Sequence, residues 1–192
     1  AEIALPPLCL FNIDGTPCQA AYEYLVSVLR VLNRLNCRIN SHCGLHVHVG
    51  IYPLDENQQP HAWTANSIQH RETTGRYYTE GLLSDAINAV VWYDVLYRYS
   101  RQQHLIDRIL PPSRTGNRYC YPVHMNAFDR LEANSATIEN VKALTRGKFS
   151  TINFETWSRG TVEFRQHSGT IEAEKIIAWC KLIRTIVNWS RT

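Results

Sequence analysis

Two short stretches of this chain place residue types that bind metals, phosphates and carboxylates at a spacing that would bring them together. In Leu45-His46-Val47-His48-Val49 two imidazoles stand two positions apart, and in Thr161-Val162-Glu163-Phe164-Arg165-Gln166-His167 a carboxylate and a guanidinium do the same. A β-strand sends alternate side chains to opposite faces. His46 and His48 would then share one face about 7 Å apart, and Thr161, Glu163, Arg165 and His167 would share one face of the second segment. Thr151-Ile152-Asn153-Phe154-Glu155 repeats the pattern, with Thr151, Asn153 and Glu155 opposite Ile152 and Phe154. A planar guanidinium can pair two oxygens of a carboxylate or phosphoryl group, and imidazole and carboxylate groups can ligate a metal or contact a phosphate. Two histidines and one glutamate also have the donor types of a catalytic zinc site. Arg165 beside them argues instead for an anion.

Polar alternation by itself needs no function, because an antiparallel sheet can leave one face to water. Such solvated faces usually carry Lys, Glu, Thr and Ser. These three segments collect His, Glu, Arg and Asn, and the combination favours a site on one sheet.

The elements that must position these residues are legible from periodicity. Tyr22, Leu25, Val28, Leu29, Leu32 and Leu35 recur at helical spacing and predict an amphipathic helix over 19–36. The segment 37–51 then switches to period two and reads as a strand. Residues 55–80 are polar, contain Gln58-Gln59-Pro60 and Thr73-Thr74-Gly75, and predict a long loop or lid. Two helices, or one bent helix, are expected over 81–100 and 101–110, ended by Pro111-Pro112, and a further helix over 136–146, ended by Gly147. Strands at 149–155 and 161–167, joined through Trp157-Ser158-Arg159-Gly160, predict an antiparallel pair. A final helix over 171–189 carries Ile176, Trp179, Cys180, Ile183, Ile186 and Val187 as its apolar stripe. The expected fold class is α+β: an antiparallel sheet with one polar, site-bearing face and helices packed on the other, in a single domain over 1–192.

Composition bounds the function classes. The 192 residues, 44% hydrophobic and 19% charged, are those of an ordinary globular protein able to bury a core. Twenty Lys and Arg against 17 Asp and Glu give a formal charge of +3 without a basic run, so nucleic acid is permitted but not indicated. No stretch approaches the roughly 18 apolar residues of a membrane span. The six cysteines show no Cys-x-x-Cys spacing; Cys37, Cys43 and Cys180, in or beside apolar stretches, are expected as small core residues, and Cys9 and Cys18 could bridge. A cytoplasmic location is expected, with secretion as the alternative given the six cysteines and a start at Ala1 without Met.

Cys43-Gly44-Leu45-His46-Val47-His48-Val49-Gly50 and Gly160-Thr161-Val162-Glu163-Phe164-Arg165-Gln166-His167-Ser168-Gly169-Thr170 resemble the two signature strands of the amidoligases, relatives of glutamine synthetase and glutamate-cysteine ligase. The segments 2–8 and 113–120 are similar to further parts of that family. The resemblance implies a glutamine synthetase-like core and an ATP- and Mg²⁺-dependent carboxylate-amine ligase, joining a small carboxylate and an amine through an acyl-phosphate. It implies Glu2, His46 and Glu163 as metal ligands, and His48 and Arg165 on ATP phosphates or the substrate carboxylate. Arg114 and Asn153 would add contacts to nucleotide or substrate, and Glu163, Arg165 and His48 would carry the catalysis. Mg²⁺ takes oxygen ligands and usually bridges substrate phosphates, which is why the chemistry needs these types. Thr161 stands where glutamine synthetase has an arginine. Relatives in the family begin with a strand carrying paired glutamates ahead of the segment that 2–8 resembles. This sequence does not contain it, so the ligase would need those carboxylates from an upstream segment or a partner chain.

Two other readings compete with the ligase. One is a relative that keeps the fold and binds a ligand or partner without turnover, for which the missing glutamates speak. The other is a ribonuclease-like or defence protein that uses His, Glu and Arg without a metal.

Overall fold

A computed structural model describes residues 3–6, 8–12, 15–51 and 85–190. The expected lid at 55–80 lies outside the described residues, as does Glu2. Helix α1 (Gln19–Arg34) is followed by strand β1 (Val47–Gly50), helices α2 (Asp85–Arg101) and α3 (Gln103–Ile109), and the short α4 (Ile138–Ala143). Strands β2 (Ile152–Asn153) and β3 (Thr161–Phe164) and helix α5 (Ala173–Trp189) complete the order.

The three strands form one antiparallel sheet in the order β1-β3-β2. Its apolar face carries Ile152, Phe154, Val162 and Phe164, each at most 1% exposed. Against it pack Trp92, Val95, Leu96 and Tyr99 of α2 and Trp179 and Ile183 of α5, in one continuous core. Trp92 meets Phe154 edge to face at 6.1 Å between ring centroids, a geometry that suits the aromatic quadrupole. A second cluster joins Leu25 and Leu29 of α1 to Ala173, Ile176 and Cys180 of α5, with Leu45 and Val47 beside it. The fold is therefore α+β, with helices on the apolar side of a small antiparallel sheet.

Several elements are shorter than their sequence patterns predict. Pairing in the 37–51 segment begins only at Gly44, because Asn36 adopts a left-handed conformation (φ 55°) after α1 and Cys43 N–H closes a turn on Asn40 O. The helix expected over 136–146 is confined to Ile138–Ala143. Thr137 caps its start by accepting from Asn140 N–H, and the Thr145 hydroxyl donates to Lys142 O at its end. Phe149, expected in a strand, lies in a short 3-10 turn after Gly147, whose φ of +58° a residue with a Cβ rarely adopts. In place of a longer hairpin, Tyr121 runs beside Ser150 in parallel, with Tyr121 N–H donating to Phe149 O and Thr151 N–H to Tyr121 O. All six cysteines are free thiols, so the bridge allowed for Cys9 and Cys18 is not made. No described helix is long and apolar enough to cross a membrane.

Candidate functional site

Register brings the polar residues together. His48 on β1 and Asn153 on β2 both pair with Glu163 on the central strand, so one row across the sheet reads His48, Glu163, Asn153. The neighbouring apolar row reads Val47, Phe164, Ile152 and points to the core.

Glu163 is 4% exposed and both its oxygens are engaged. Oε1 accepts from His46 Nδ1 at 2.9 Å and lies 3.8 Å from His48 Nε2. Asn153 Nδ2 donates to Oε2 at 2.6 Å, and Arg165 Nη1 reaches both oxygens at 3.0 Å. Burial alone would raise the carboxyl. The hydrogen bonds from His46 and Asn153 and the adjacent Arg165 charge outweigh it, and hold Glu163 at about 2. His48 is lowered, chiefly by burial and further by the charges of Arg159, His46 and Arg165, against the opposing pull of Glu163. It is therefore a neutral imidazole at neutral pH, and its Nδ1 lies 3.2 Å from Thr161 Oγ1.

This row is the floor of a cleft of about 790 Å³. Sequence reasoning missed its rim. Arg146 and Lys148 flank Gly147, and Arg159 precedes Gly160; all three line the cleft with Glu155 and Phe149. The signal that could have found them is a basic residue beside each turn glycine, where the chain must leave the sheet. Among the described residues none of these three cations forms a salt bridge, so the cleft has an excess of positive charge over its two carboxylates.

His167 does not join the face expected for it. Between the pairs Val47–Phe164 and Gly44–Ser168 the first strand has two residues, Leu45 and His46, whereas the continuation of β3 has three, Arg165, Gln166 and His167. The extra residue is a bulge, which re-aims the side chains beyond it. His167 packs instead on Trp179 of α5, with ring centroids 5.1 Å apart.

Arg114, implied as a ligand contact, is buried at 3% exposure and is not among the residues lining the cleft. Its guanidinium clamps the bulge, donating through Nε to Gln166 O at 3.0 Å and through Nη2 to Arg165 O. The Gln166 side chain is tied to Tyr99 Oη and Asp107 Oδ1, each at 2.9 Å. The bulge is thus fixed from behind while Arg165 faces the cleft.

The described residues do not by themselves make a metal centre. Among them no group of three His, Cys, Asp or Glu side chains is placed to hold an ion, and the oxygens of Glu163 are committed to Arg165, His46 and Asn153. What they do offer is a set of fixed donors. The buried Nε of Arg165 has no partner among the described residues, a deficit worth roughly 1–3 kcal/mol.

A small antiparallel sheet backed by helices, with a histidine-glutamate-asparagine row under a cationic rim, defines an α+β protein whose cleft suits an anion. The comparison with known families is more particular. Residues 89–187, half of the chain, match the family described as "Putative amidoligase enzyme", and the chain belongs to that family. No curated protein and no solved structure matches it.

Proposed function

We propose that the protein is an ATP-dependent carboxylate-amine ligase with a glutamine synthetase-like arrangement of its site. The observation that supports this best is the committed Glu163-Arg165 pair at the floor of a cleft whose rim cations have no acidic partners among the described residues. Such a cleft suits a polyanion next to a carboxylate substrate. In this reading Arg146, Lys148 and Arg159 receive the nucleotide phosphates, and Arg165 spans the transferred phosphoryl group and the substrate carboxylate. A carboxylate oxygen attacks the γ-phosphorus and ADP leaves. The amine nitrogen then bonds to the acyl carbon, phosphate departs with the original carboxylate oxygen, and the amine loses a proton to solvent.

Asn153 and Glu163 hold Arg165 and His46 in place for this, and neutral His48 adds a contact to a phosphate oxygen. Most of the catalysis is then positioning and charge stabilisation. Mg²⁺ would enter with the nucleotide, held largely by its phosphates, and none of these steps requires the described side chains to bind it first.

The test is release of ADP and phosphate from Mg-ATP by the full chain, with pools of small carboxylates and amines. Turnover should require one member of each pool and fall about 100-fold in Arg165→Lys, which keeps the charge but not the two-pronged geometry. A protein that binds neither ATP nor ADP would end the ligase reading. Nucleotide binding without ADP formation in any pool would point to the second reading, a ligand-binding relative without turnover. The full engagement of both Glu163 oxygens favours that outcome over an unknown chemistry.

A further inference from the structure

One feature of the rim is not accounted for by phosphate binding. Phe149 and Tyr119 are each 40% exposed, although aromatic rings of this size gain by burial, and their ring centroids lie 6.3 Å apart. Phe149 lines the cleft four residues before Asn153, which stands on its floor. The segment carrying Tyr119 is held against this edge by Tyr121 N–H, which donates to Phe149 O at 2.6 Å.

Each ring is paired with a cation. Lys148 Nζ lies 5.3 Å from the Phe149 centroid, Arg118 Cζ 4.8 Å from that of Tyr119, and Arg146 Cζ 4.7 Å from that of Tyr121. Aromatic faces thus alternate with cations from Arg146, Lys148 and Phe149, which line a cleft that already favours phosphate, to the adjoining Tyr119, Arg118 and Tyr121. Stacking on an aromatic ring next to a guanidinium or ammonium is how proteins hold a nucleobase without reading its edges.

We infer that Phe149 and Tyr119 form a nucleobase platform, on which the base of a nucleoside polyphosphate stacks while its phosphates run past Lys148 and Arg146 toward Arg165. This rests on the ligase reading above and adds where the nucleotide's base lies. It assigns the cleft to one nucleotide rather than to a nucleic acid strand. The cavity of about 790 Å³ has the size of a single-ligand site, and a formal charge of +3 is modest for a nucleic-acid-binding domain.

The platform also implies a nucleotide preference. Stacking is tolerant of base identity, and its strength grows with ring area, so purine nucleotides should bind more tightly than pyrimidine ones at equal phosphate charge.

Calorimetric titration of the full chain with ATP, CTP and inorganic tripolyphosphate separates base from phosphate. ATP is expected to bind more tightly than CTP. Phe149→Ala and Tyr119→Ala should each weaken ATP about tenfold and leave tripolyphosphate within twofold, whereas Phe149→Trp should retain ATP. Lys148→Ala should weaken ATP and tripolyphosphate alike. If the ring variants bind ATP as the unmodified chain does, or lose ATP and tripolyphosphate equally, the platform is refuted while the ligase reading stands. If the unmodified chain binds neither ligand, both fall together. Ring-dependent binding of single-stranded oligonucleotides in preference to ATP would overturn the assignment in favour of a nucleic acid surface.

Discussion

Replacing Glu163 by glutamine should cost the fold about 3 kcal/mol at neutral pH, and the cost should vanish in acid. The buried carboxyl is held at about 2 where an unfolded chain would have about 4.5, and each pH unit corresponds to roughly 1.4 kcal/mol. Because the folded carboxyl is the stronger acid, its stabilisation is complete above pH 4.5 and is lost as the pH falls toward 2. Glu163→Gln keeps the shape but removes the charge that faces Arg165 Nη1, and one of the contacts to His46, Asn153 and Arg165 must become donor against donor. Breaking a buried ion pair on one side leaves the other charge uncompensated, a penalty of about the same size. Urea unfolding followed by the fluorescence of buried Trp92 and Trp179, at pH 7, 5 and 3 with reductant, gives the difference between the two proteins directly. Groups that titrate alike in both cancel. A difference below about 1 kcal/mol at pH 7, or one that does not shrink between pH 5 and 3, would refute the view that Glu163 is an ionised carboxylate held by three donors.

The remaining predictions concern His48, a close approach and the thiols. The His48 ring should titrate below 6.5 by proton NMR, move upward in Arg159→Ala and downward in Glu163→Gln, since these charges oppose each other there; a ring unmoved by either change would contradict the geometry. Its depressed value means the fold prefers the neutral form, so this group withdraws stability as the pH falls below 6.5. Gly169→Ala should destabilise the protein by about 1–3 kcal/mol, because an added Cβ would lie 2.6 Å from Cys43 Cβ and 3.2 Å from Cys43 backbone carbon. Gly50→Ala, with nothing within 4 Å, should cost less than half as much, and equal midpoints in urea would count against the close packing at Gly169. Burial pushes the Cys180 thiol up to about 12 and raises Cys120 as well, while Cys37 is exposed. Ellman's reagent should therefore modify Cys37 quickly in the native protein and reach Cys120 and Cys180 only on unfolding, with six thiols in total; fewer than six without reductant would reveal a bridge.

How much of the fold and site is legible in the sequence depends on whether a feature is local. The stripe of α5 and the alternation Val162-Glu163-Phe164 are set by burial at fixed periods, and both appear where the pattern places them. The row His48-Glu163-Asn153 follows from the same alternation once the strands pair, so three of the site residues can be grouped from periodicity alone. The rim cannot be grouped that way. Arg146, Lys148 and Arg159 have no periodicity and sit on turns, and only the three-dimensional course of the chain brings them over one floor. Arg114 is legible as a residue of interest for a different reason than the one observed: it serves the backbone of residues 165 and 166, and nothing in Ser113-Arg114-Thr115 announces that distant partner.

The displacement of His167 shows where period-two reasoning stops. Alternation predicts faces only while the pairing partner advances at the same rate, and a single added residue inverts every side chain beyond it. Here the inversion falls between Gln166 and His167, so alternation still places Arg165 at the cleft and Gln166 in the core. Gln166 explains why the bulge stays at that point. Its amide is satisfied in the core by Tyr99 and Asp107, which hold Gln166 on the face that alternation gives it and leave the residue after it to take the change of side. The same Gln166 carbonyl accepts from Arg114 Nε, so the clamp depends on the bulge being in place. Buried hydrogen bonds behind the sheet thus decide which side chains face the cleft in front of it, and the geometry of Arg165 is inherited from residues that never touch the cleft.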